Sequence, residues 1–305
     1  MKQCSKCHEA VREERNAREN LEAVEIEISQ AEQEMRKMSA RGIMNGVDSV
    51  RKVLQNFKNN NSNGQYDWIL NGYHGILMEL FICENIYHQA VEVTAGNRLF
   101  YHVVDDDRVA MKILKDVGSL SYVWINHQKL MGEVNFFPLN RLIAKAKKTT
   151  NNPDARPIMD SLKFDERYEV VFRHVFGGTA IVRNMLAGNN LAKTEGFDCV
   201  TFEGDQINRR GPMTGGYLDP KRCRLELFAN IRNLMEQKKE IQCNLEAAIE
   251  RNNERTAAVE RLRMKGQDLE REVASRKNDH KLAADRKRAL SQQLQQSQRN
   301  REPKA

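Results

Sequence analysis

YEVVFRHVFGGTAIVRNMLAGNNLAKTEG, residues 168–196, decides our interpretation of the fold, because an earlier stretch has the same order of features. The earlier stretch is YHQAVEVTAGNRLFYHVVDDDRVAMKILKDVG, residues 87–118. Each stretch begins with an amphipathic helical pattern and continues through a turn of small residues, a β-branched strand, a second helical pattern and a glycine. Each is followed by another β-rich run, EVNFFPL in the first case and FDCVTFEGD in the second. The repetition predicts a core of two similar α/β units.

The segments around the two units have their own patterns. GVDSVRKVLQNF predicts a helix, NNNSNGQ a solvated loop, and YHGILMEL a strand. A run near residues 119–131 fits neither unit, so we interpret it as an inserted surface element. The polar linker NRLIAKAKKTTNNPDARP joins the units.

Two heptad segments flank this core. In the first segment, apolar residues recur at alternating spacings of four and three, which is the seam of a coiled coil. These residues are Ala17, Leu21, Val24, Ile28, Ala31, Met35 and Met38. The same register returns after Leu227 and continues to Leu294, although its far half is more polar. We expect the two helices to pair antiparallel as a stalk with the core at its tip, the far half of the longer arm having no partner in this chain.

Composition narrows the function classes. The 305 residues carry a formal net charge of +7, which permits contact with nucleic acid but is a weak signal at this length. No run of about 18 apolar residues occurs, and the first twenty residues lack the apolar centre of a signal peptide. These features predict a soluble, intracellular chain whose six cysteines are reduced thiols.

Three kinds of catalytic or cofactor motif are considered and set aside. CSKCH at residues 4–8 has the spacing of a haem attachment or half a zinc site, but the chain offers neither export nor a second ligand pair. The P-loop string and the G-x-G-x-x-G dinucleotide string do not occur. His74, His102 and His174 lie beside apolar residues and fit core or surface positions better than catalytic bases. We predict no catalytic residue and no metal site.

The stretch GDQINRRGPMTGGY, residues 204–217, is the most unusual in composition. Its glycines remove side chains from a segment that otherwise has a β pattern, at the point where the chain leaves the core. Glycine in a strand often marks the close approach of another backbone, and an exposed edge strand can pair with a second molecule. A tight turn at the end of a subdomain explains the same composition equally well.

The order of these motifs resembles the hinge of the SMC (structural maintenance of chromosomes) family. AVEVTAGNRLFYHVVD, FFPLNRL, VFRHVFGGTAIV and TFEGDQINRRGPMTGGY carry the resemblance, and NGYHGILM and GGYLDPKRCRLEL are most similar to the cohesin type of SMC subunit. The resemblance implies an α/β fold, a two-subdomain hinge at the tip of an antiparallel coiled coil. It divides the chain into an arm (1–41), subdomain I (42–149), subdomain II (150–226) and a second arm (227–305).

The resemblance also implies a function and a partner. An SMC hinge is not an enzyme, and ATP and Mg²⁺ would be bound only by head domains that these 305 residues lack. The hinge would pair with the hinge of a different SMC subunit, closing a ring around DNA for sister-chromatid cohesion and chromosome segregation. We therefore expect a nuclear, chromosome-associated protein that has other cohesin subunits as partners and no membrane contact. Homodimerisation stays open, because both contact strands are self-compatible across a two-fold axis.

Carried onto this sequence, the family's two contacts fall on two strands. One strand would use Tyr73, Gly75, Ile76 and Met78. The other would use Gly211, Met213, Thr214, Gly215, Gly216 and Tyr217.

The competing interpretation is a module that binds nucleic acid without sequence preference. It rests on basic clusters at the linker and at the exit from the core, for which a solvated surface is the simpler explanation. These residues are Lys145, Lys147, Lys148, Arg209, Arg210, Lys221, Arg222 and Arg224. A nucleotide hydrolase within these residues ranks last.

Overall fold

The structure is a computed structural model that describes residues 2–120, 132–144, 146, 148–216 and 222–299. In those residues, no helix combines the length and apolarity that crossing a bilayer requires. Most of the expected insert, residues 121–131, lies outside the described residues, as do Lys145, Lys147, Tyr217 and Lys221.

Eight α-helices are described. Their bounds are α1 Lys2–Met38, α2 Arg41–Asn59, α3 Asp67–Gly72, α4 His88–Ala95, α5 Asp107–Leu120, α6 Glu169–Phe176, α7 Met185–Thr194 and α8 Arg224–Arg299. The helix predicted from GVDSVRKVLQNF is confirmed as α2, which buries Val47, Val50, Val53 and Phe57. CSKCH lies within α1.

Ten short strands accompany the helices. Their bounds are β1 Tyr73–Ile76, β2 Phe81–Ile82, β3 His102–Val104, β4 Phe136–Pro138, β5 Ala155–Pro157, β6 Lys163–Phe164, β7 Thr179–Val182, β8 Asp198–Thr201, β9 Gln206–Ile207 and β10 Met213–Thr214. They form a three-stranded sheet in the order β1-β3-β4, a five-stranded sheet in the order β10-β9-β8-β7-β5, and the separate pair β2-β6.

The predicted repetition of α/β units is confirmed. In the first unit, α4 precedes β3, and α5 carries the chain over to β4, which lies parallel to β3. In the second unit, α6 precedes β7, and α7 carries the chain over to β8, parallel to β7. Parallel neighbours require such a crossover, so each unit is built around one β-α-β connection.

One predicted strand is only half correct. Within YHGILMEL the strand β1 ends at Ile76, and residues Leu77–Glu79 form a 3₁₀ turn that places Met78 off the strand. The backbone N–H of Leu80 donates to the carbonyl of Leu77 (3.1 Å), and that of Ile76 donates to the Glu79 carboxylate (2.9 Å). These bonds satisfy donors at both ends of the turn, so an apolar run bends where its composition favours extension.

The two α/β units share one apolar core. Its largest cluster joins Val91 and Leu99 of the first unit, and Leu77 of the turn after β1, to Phe172 and Phe176 of the second unit. The strands β2 and β6, one from each side of the linker, pair antiparallel beside it. Smaller clusters lie under α2 and α5 in the first unit and under α7 in the second. Residues 26–235 accordingly form one compact unit of the structure.

Residues 1–25 and 236–305 form the other compact unit. Within it, α1 and α8 pair antiparallel, because Lys238 meets Glu25 (2.7 Å) whereas Arg251, further along α8, meets Glu13 (3.8 Å). The seam residues beyond this paired stretch are exposed. They include Val259, Leu262, Leu269, Val273, Leu290 and Leu294. The expected antiparallel pairing is thus confirmed, and the far half of α8 has no partner among the described residues.

Candidate functional site

The two predicted contact strands each lie at one end of a sheet. Among the described residues, β1 ends the three-stranded sheet and pairs only with β3, and β10 ends the five-stranded sheet and pairs only with β9. Because an end strand has one hydrogen-bonding side directed away from its sheet, both strands can accept a further strand. The two α/β units therefore each contribute one open edge.

The edge of β1 is deeply embedded. Ile76 is 4% exposed and Met78 is 2% exposed, and Tyr73 is half-buried with its hydroxyl 2.9 Å from Nδ1 of His102. Burial lowers the pKa of His102 to about 3, so its ring is neutral at physiological pH. The expectation of a core histidine is confirmed for His102, which supports β1 from within.

The backbone of β1 has a bulge at His74, between the pairs Tyr73↔Val104 and Gly75↔Val103. Beyond it, the N–H of Leu77 donates to the carbonyl of Tyr101 (2.9 Å). Since bonded and non-bonded pairs alternate in an antiparallel ladder, the N–H and C=O of the preceding residue, Ile76, point to the outer side. Gly75 has φ = 116°, a conformation that residues with side chains rarely adopt.

The edge of β10 is exposed by comparison. Met213 is 54% exposed, and both residues of the strand are accessible. The N–H of Asn208 donates to the carbonyl of Pro212 (2.8 Å), so the next pair, Met213↔Ile207, falls in the non-bonded register. The N–H and C=O of Met213 therefore also point to the outer side. Gly211 (φ = 109°) forms part of the hairpin turn, in which its N–H donates to the carbonyl of Asn208 (2.8 Å).

Two carboxylates that sequence reasoning missed lie against these edges. Glu79 contacts β1, and Asp205 contacts the end of β10, where the N–H of Gly216 donates to Oδ1 (3.1 Å). Glu79 could have been found from its place three residues after Ile76, the spacing of a capping carboxylate. Asp205 is eleven residues from Gly216 in sequence, and no local pattern indicates that contact.

The predicted basic residues separate into two groups. Lys148 and Arg224 are used within the protein. The ammonium of Lys148 donates to the carbonyls of Glu195 and Gly196 at the end of α7 and lies 5.0 Å from the Phe197 ring centroid. Arg209, Arg210 and Arg222 are exposed, and within the described part of the chain their guanidinium groups pair with no carboxylate.

Arg224 belongs to a buried contact at the start of α8. Its Nε donates to Glu92 of α4 (2.7 Å), and both side chains are 13% exposed. Glu92 also accepts the backbone N–H groups of Arg224 (2.6 Å) and Leu225 (3.2 Å) and the thiol of Cys223 (3.1 Å). A carboxylate at a helix N-terminus satisfies its free N–H groups and favours its dipole. Arg224 thus fixes the arm and is not a free surface charge.

Three of the described cysteines, Cys83, Cys199 and Cys223, are poorly suited to nucleophilic chemistry. Burial raises the pKa of Cys83 and Cys223 to about 12 and that of Cys199 to about 11. The thiolate is the reactive form, so these groups are inert at neutral pH. Among the residues that the structure describes, no three His, Cys, Asp or Glu side chains converge as metal ligands.

Comparison with known proteins identifies the domain. The family model of the SMC proteins' flexible hinge domain matches residues 70–192, a range that contains β1, the first β-α-β connection and, of the second connection, β7 and most of α7. The chain carries an SMC hinge. Such a hinge is a non-catalytic domain that dimerises with a second SMC hinge.

Two curated relatives have the same name. Structural maintenance of chromosomes protein 3 of Caenorhabditis elegans is 38% identical over 296 residues, which are 97% of this chain and 23% of that protein. The Arabidopsis thaliana protein of that name is 34% identical over 204 residues, covering 66% of this chain and 15% of that protein. The chain spans about a quarter or less of the length of these relatives. The similarity to the first extends along both arms.

A solved structure supports the fold. The chain described as "Folded elbow of cohesin" matches 98% of this chain and 43% of its own length, with a TM-score of 0.60 and 24% sequence identity. The predicted SMC hinge fold on a coiled coil is confirmed.

Proposed function

We propose that this SMC hinge belongs to a cohesin-type subunit and pairs with the hinge of a different SMC subunit to close a ring around DNA. Within the longer protein, this pairing would serve sister-chromatid cohesion and chromosome segregation at nuclear chromosomes. The observation that carries the proposal is the pair of open sheet edges, one on each α/β unit. Two chains can therefore make two contacts, each between β1 of one chain and β10 of the other.

The proposed contacts use backbone groups that no strand in the described part of the chain occupies. Met213 directs its N–H and C=O to the outer side of β10, and Ile76 directs its C=O to the outer side of β1, where an added strand would bond them; the N–H of Ile76 is already bonded to the Glu79 carboxylate. The exposed Met213 side chain would supply apolar area to the same contact. We keep Tyr73, Gly75, Gly211, Thr214, Gly215, Gly216 and Tyr217 in the proposed interface. Met78 contributes from beneath, because its side chain packs in the core.

Light scattering tests the pairing. The 305-residue chain is measured alone and mixed with the hinge of the second SMC subunit of cohesin from the same organism. A one-to-one complex that forms only in the mixture supports the proposal. A chain that is already dimeric alone indicates a homodimeric hinge, and a chain that stays monomeric in the mixture contradicts hinge pairing.

We propose weak, sequence-independent DNA contact as a second function of the same domain. Its support is the group of exposed arginines Arg209, Arg210 and Arg222, which pair with no carboxylate among the described residues. Arg209 and Arg210 occupy the turn of the β9-β10 hairpin, where backbone bonds to Asp198 (3.0 Å) and Asn208 (2.9 Å) hold their main chain. Binding that weakens steeply with salt supports this function, and salt-insensitive or undetectable binding contradicts it.

We propose no enzymatic activity or cofactor for this chain. In the longer protein, ATP and Mg²⁺ would be bound by head domains elsewhere. Detectable ATP turnover by the purified 305-residue chain would contradict this.

A further inference from the structure

Two glycines of the proposed interface each leave a space that a carboxylate of the same chain fills. A Cβ atom built on Gly75 would lie 2.5 Å from Oε2 of Glu79, and one built on Gly215 would lie 2.7 Å from Oδ1 of Asp205. Real Cβ contacts are longer than this. The family resemblance places both glycines in the two contacts with a partner strand, but in this chain the space beside each is already taken.

In both places the carboxylate bonds the residue that follows the glycine. Glu79 accepts the N–H of Ile76 (2.9 Å), and Asp205 accepts the N–H of Gly216 (3.1 Å). The two α/β units thus share one arrangement at their open edges: a glycine, a carboxylate in its side-chain space, and a bond to the next N–H. Charge-assisted bonds of this kind are stronger than bonds between neutral groups.

Each carboxylate is itself held by structure outside the strand that it contacts. The guanidinium of Arg51, on α2, lies 3.5 Å from Oε1 of Glu79. The backbone of Asp205 is fixed to Thr201 at the end of β8, because Asp205 N–H donates to the Thr201 hydroxyl (3.1 Å) and Thr201 N–H donates to the Asp205 carbonyl (2.9 Å). Through Glu79, β1 is therefore tied to α2, and through Asp205, the end of β10 is tied to β8.

We propose that Glu79 and Asp205 are positioning residues for hinge pairing, each holding its edge strand in the conformation that a partner strand binds. This inference rests on the proposed function. β10 has only two paired residues, and β1 is interrupted by a bulge and a turn, so neither strand is long enough to order its own edge. Ordering before association lowers the entropy lost on binding. In addition, Glu79 occupies the outward N–H of Ile76, which restricts the registers in which a partner can pair with β1.

The test compares alanine and amide variants of the full chain. Glu79→Ala and Asp205→Ala remove the acceptor, whereas Glu79→Gln and Asp205→Asn retain an acceptor oxygen. Glu84→Ala and Glu203→Ala are matched controls, because both are exposed glutamates near the two sites. Amide hydrogen exchange of Ile76 and Gly216 is measured in the isolated chain, and affinity is measured for the partner hinge used above.

We expect the alanine variants to exchange the bonded amide at least about tenfold faster and to bind the partner about tenfold more weakly. The amide variants should recover most of both properties, and the controls should match the unsubstituted chain. Gly75→Ala should weaken binding in the unsubstituted chain and less so in Glu79→Ala, because the clash with Glu79 is then absent and only the backbone strain at φ = 116° remains.

Unchanged or tighter binding by the alanine variants, with the unsubstituted chain still pairing, would overturn this inference and leave the proposed function intact. If the unsubstituted chain does not pair, both the proposed function and this pairing role fail. Unchanged amide exchange in the isolated chain would also overturn it, whatever the binding. Thermal unfolding identifies any alanine variant that fails to fold. In that case the amide exchange and partner affinity of Glu79→Gln and Asp205→Asn test the inference.

Discussion

The two open edges of this hinge differ in how they are attached to the protein. β1 and the turn that follows it lie on the core, with Ile76 of the strand and Met78 of the turn almost fully buried, and β10 lies outside it, with Met213 about half exposed. A partner would therefore meet a preformed surface at β1 and a thin hairpin at β10. We therefore expect substitutions at β1 to reduce both stability and pairing, and substitutions at β10 to reduce pairing alone.

The largest effect is expected for Met78→Asp. An unpaired carboxylate at a position that is 2% exposed costs several kcal/mol in the free energy of unfolding. We expect Tm to fall by about 10 °C or more, or the chain to fail to fold, and partner binding to be lost with it. Differential scanning calorimetry measures this. Met78→Leu, which keeps the volume, is the control and should change Tm little.

Met213→Glu should affect pairing alone. The side chain is exposed in the single chain, so Tm should change by less than about 2 °C. At the proposed contact the new carboxylate would be desolvated, and we expect partner affinity to fall by about 100-fold, which is about 3 kcal/mol. Titration calorimetry with the partner hinge measures it. Binding that is unaffected would remove β10 from the interface.

Met213 is a cleaner test of this edge than Gly215. A side chain on Gly215 would strike Asp205 of its own chain, so Gly215→Glu would disturb the hairpin as well as the contact. Met213→Leu is the matched control, because it retains apolar area.

Acid should weaken β1 more than β10. The pKa of His102 is lowered to about 3 in the folded chain, against about 6.5 when unfolded, so the unfolded state binds more protons between these values. Stability from this group is full above pH 6.5 and falls as pH falls, by up to about 2 kcal/mol at pH 5. Tm measured between pH 7 and pH 5 should fall less steeply in His102→Gln. If Tm falls equally steeply with pH in both proteins, the lowered pKa of His102 is not the cause of the acid sensitivity.

The smallest effect is expected at the turn beside β10. Replacing both Arg209 and Arg210 by alanine should reduce the slope of log affinity against log salt for a DNA duplex by about 2, since each phosphate contact contributes about 0.9. Fluorescence anisotropy over a salt series measures the slope. Lys148→Ala is the control, because its ammonium is bonded to carbonyls at the end of α7. An equal change in the control would show that the effect is not specific to the turn.

Helices and strands could be predicted from the sequence where the pattern that indicates them lies within a short stretch of chain. Hydrophobic period and glycine placement were enough for α2, for the order of helices and strands in the two α/β units and for the helices of the two arms, because each depends on neighbours within a few turns of chain. Met78 was misplaced because an apolar run has the same composition in a strand and in a buried turn. The position of Arg224 depends on Glu92, which is 132 residues away, and periodicity contains no information about such contacts.

The functional residues follow the same division. The glycines of the two edges are visible in the sequence, but what fills the space beside them is not. Asp205 reaches Gly216 only because a hairpin returns the chain, and Arg51 reaches Glu79 from a different helix. A glycine-rich strand indicates that something approaches closely, and only the structure shows that it is a side chain of the same protein.

Two consecutive residues of α4 connect the arm to the open edge of the second unit. Glu92 accepts N–H groups from the first turn of α8, and the carbonyl of Val93 accepts the side-chain amide of Gln206 (3.2 Å) on β9, the strand with which β10 pairs in the described residues. Helix α4 is therefore bonded both to the start of α8, through Glu92, and to the β9-β10 hairpin, through Val93. A rotation of the first turn of α8 must either break its bonds to Glu92 or rotate α4 as well. Rotating α4 would also move β9, the strand that supports β10.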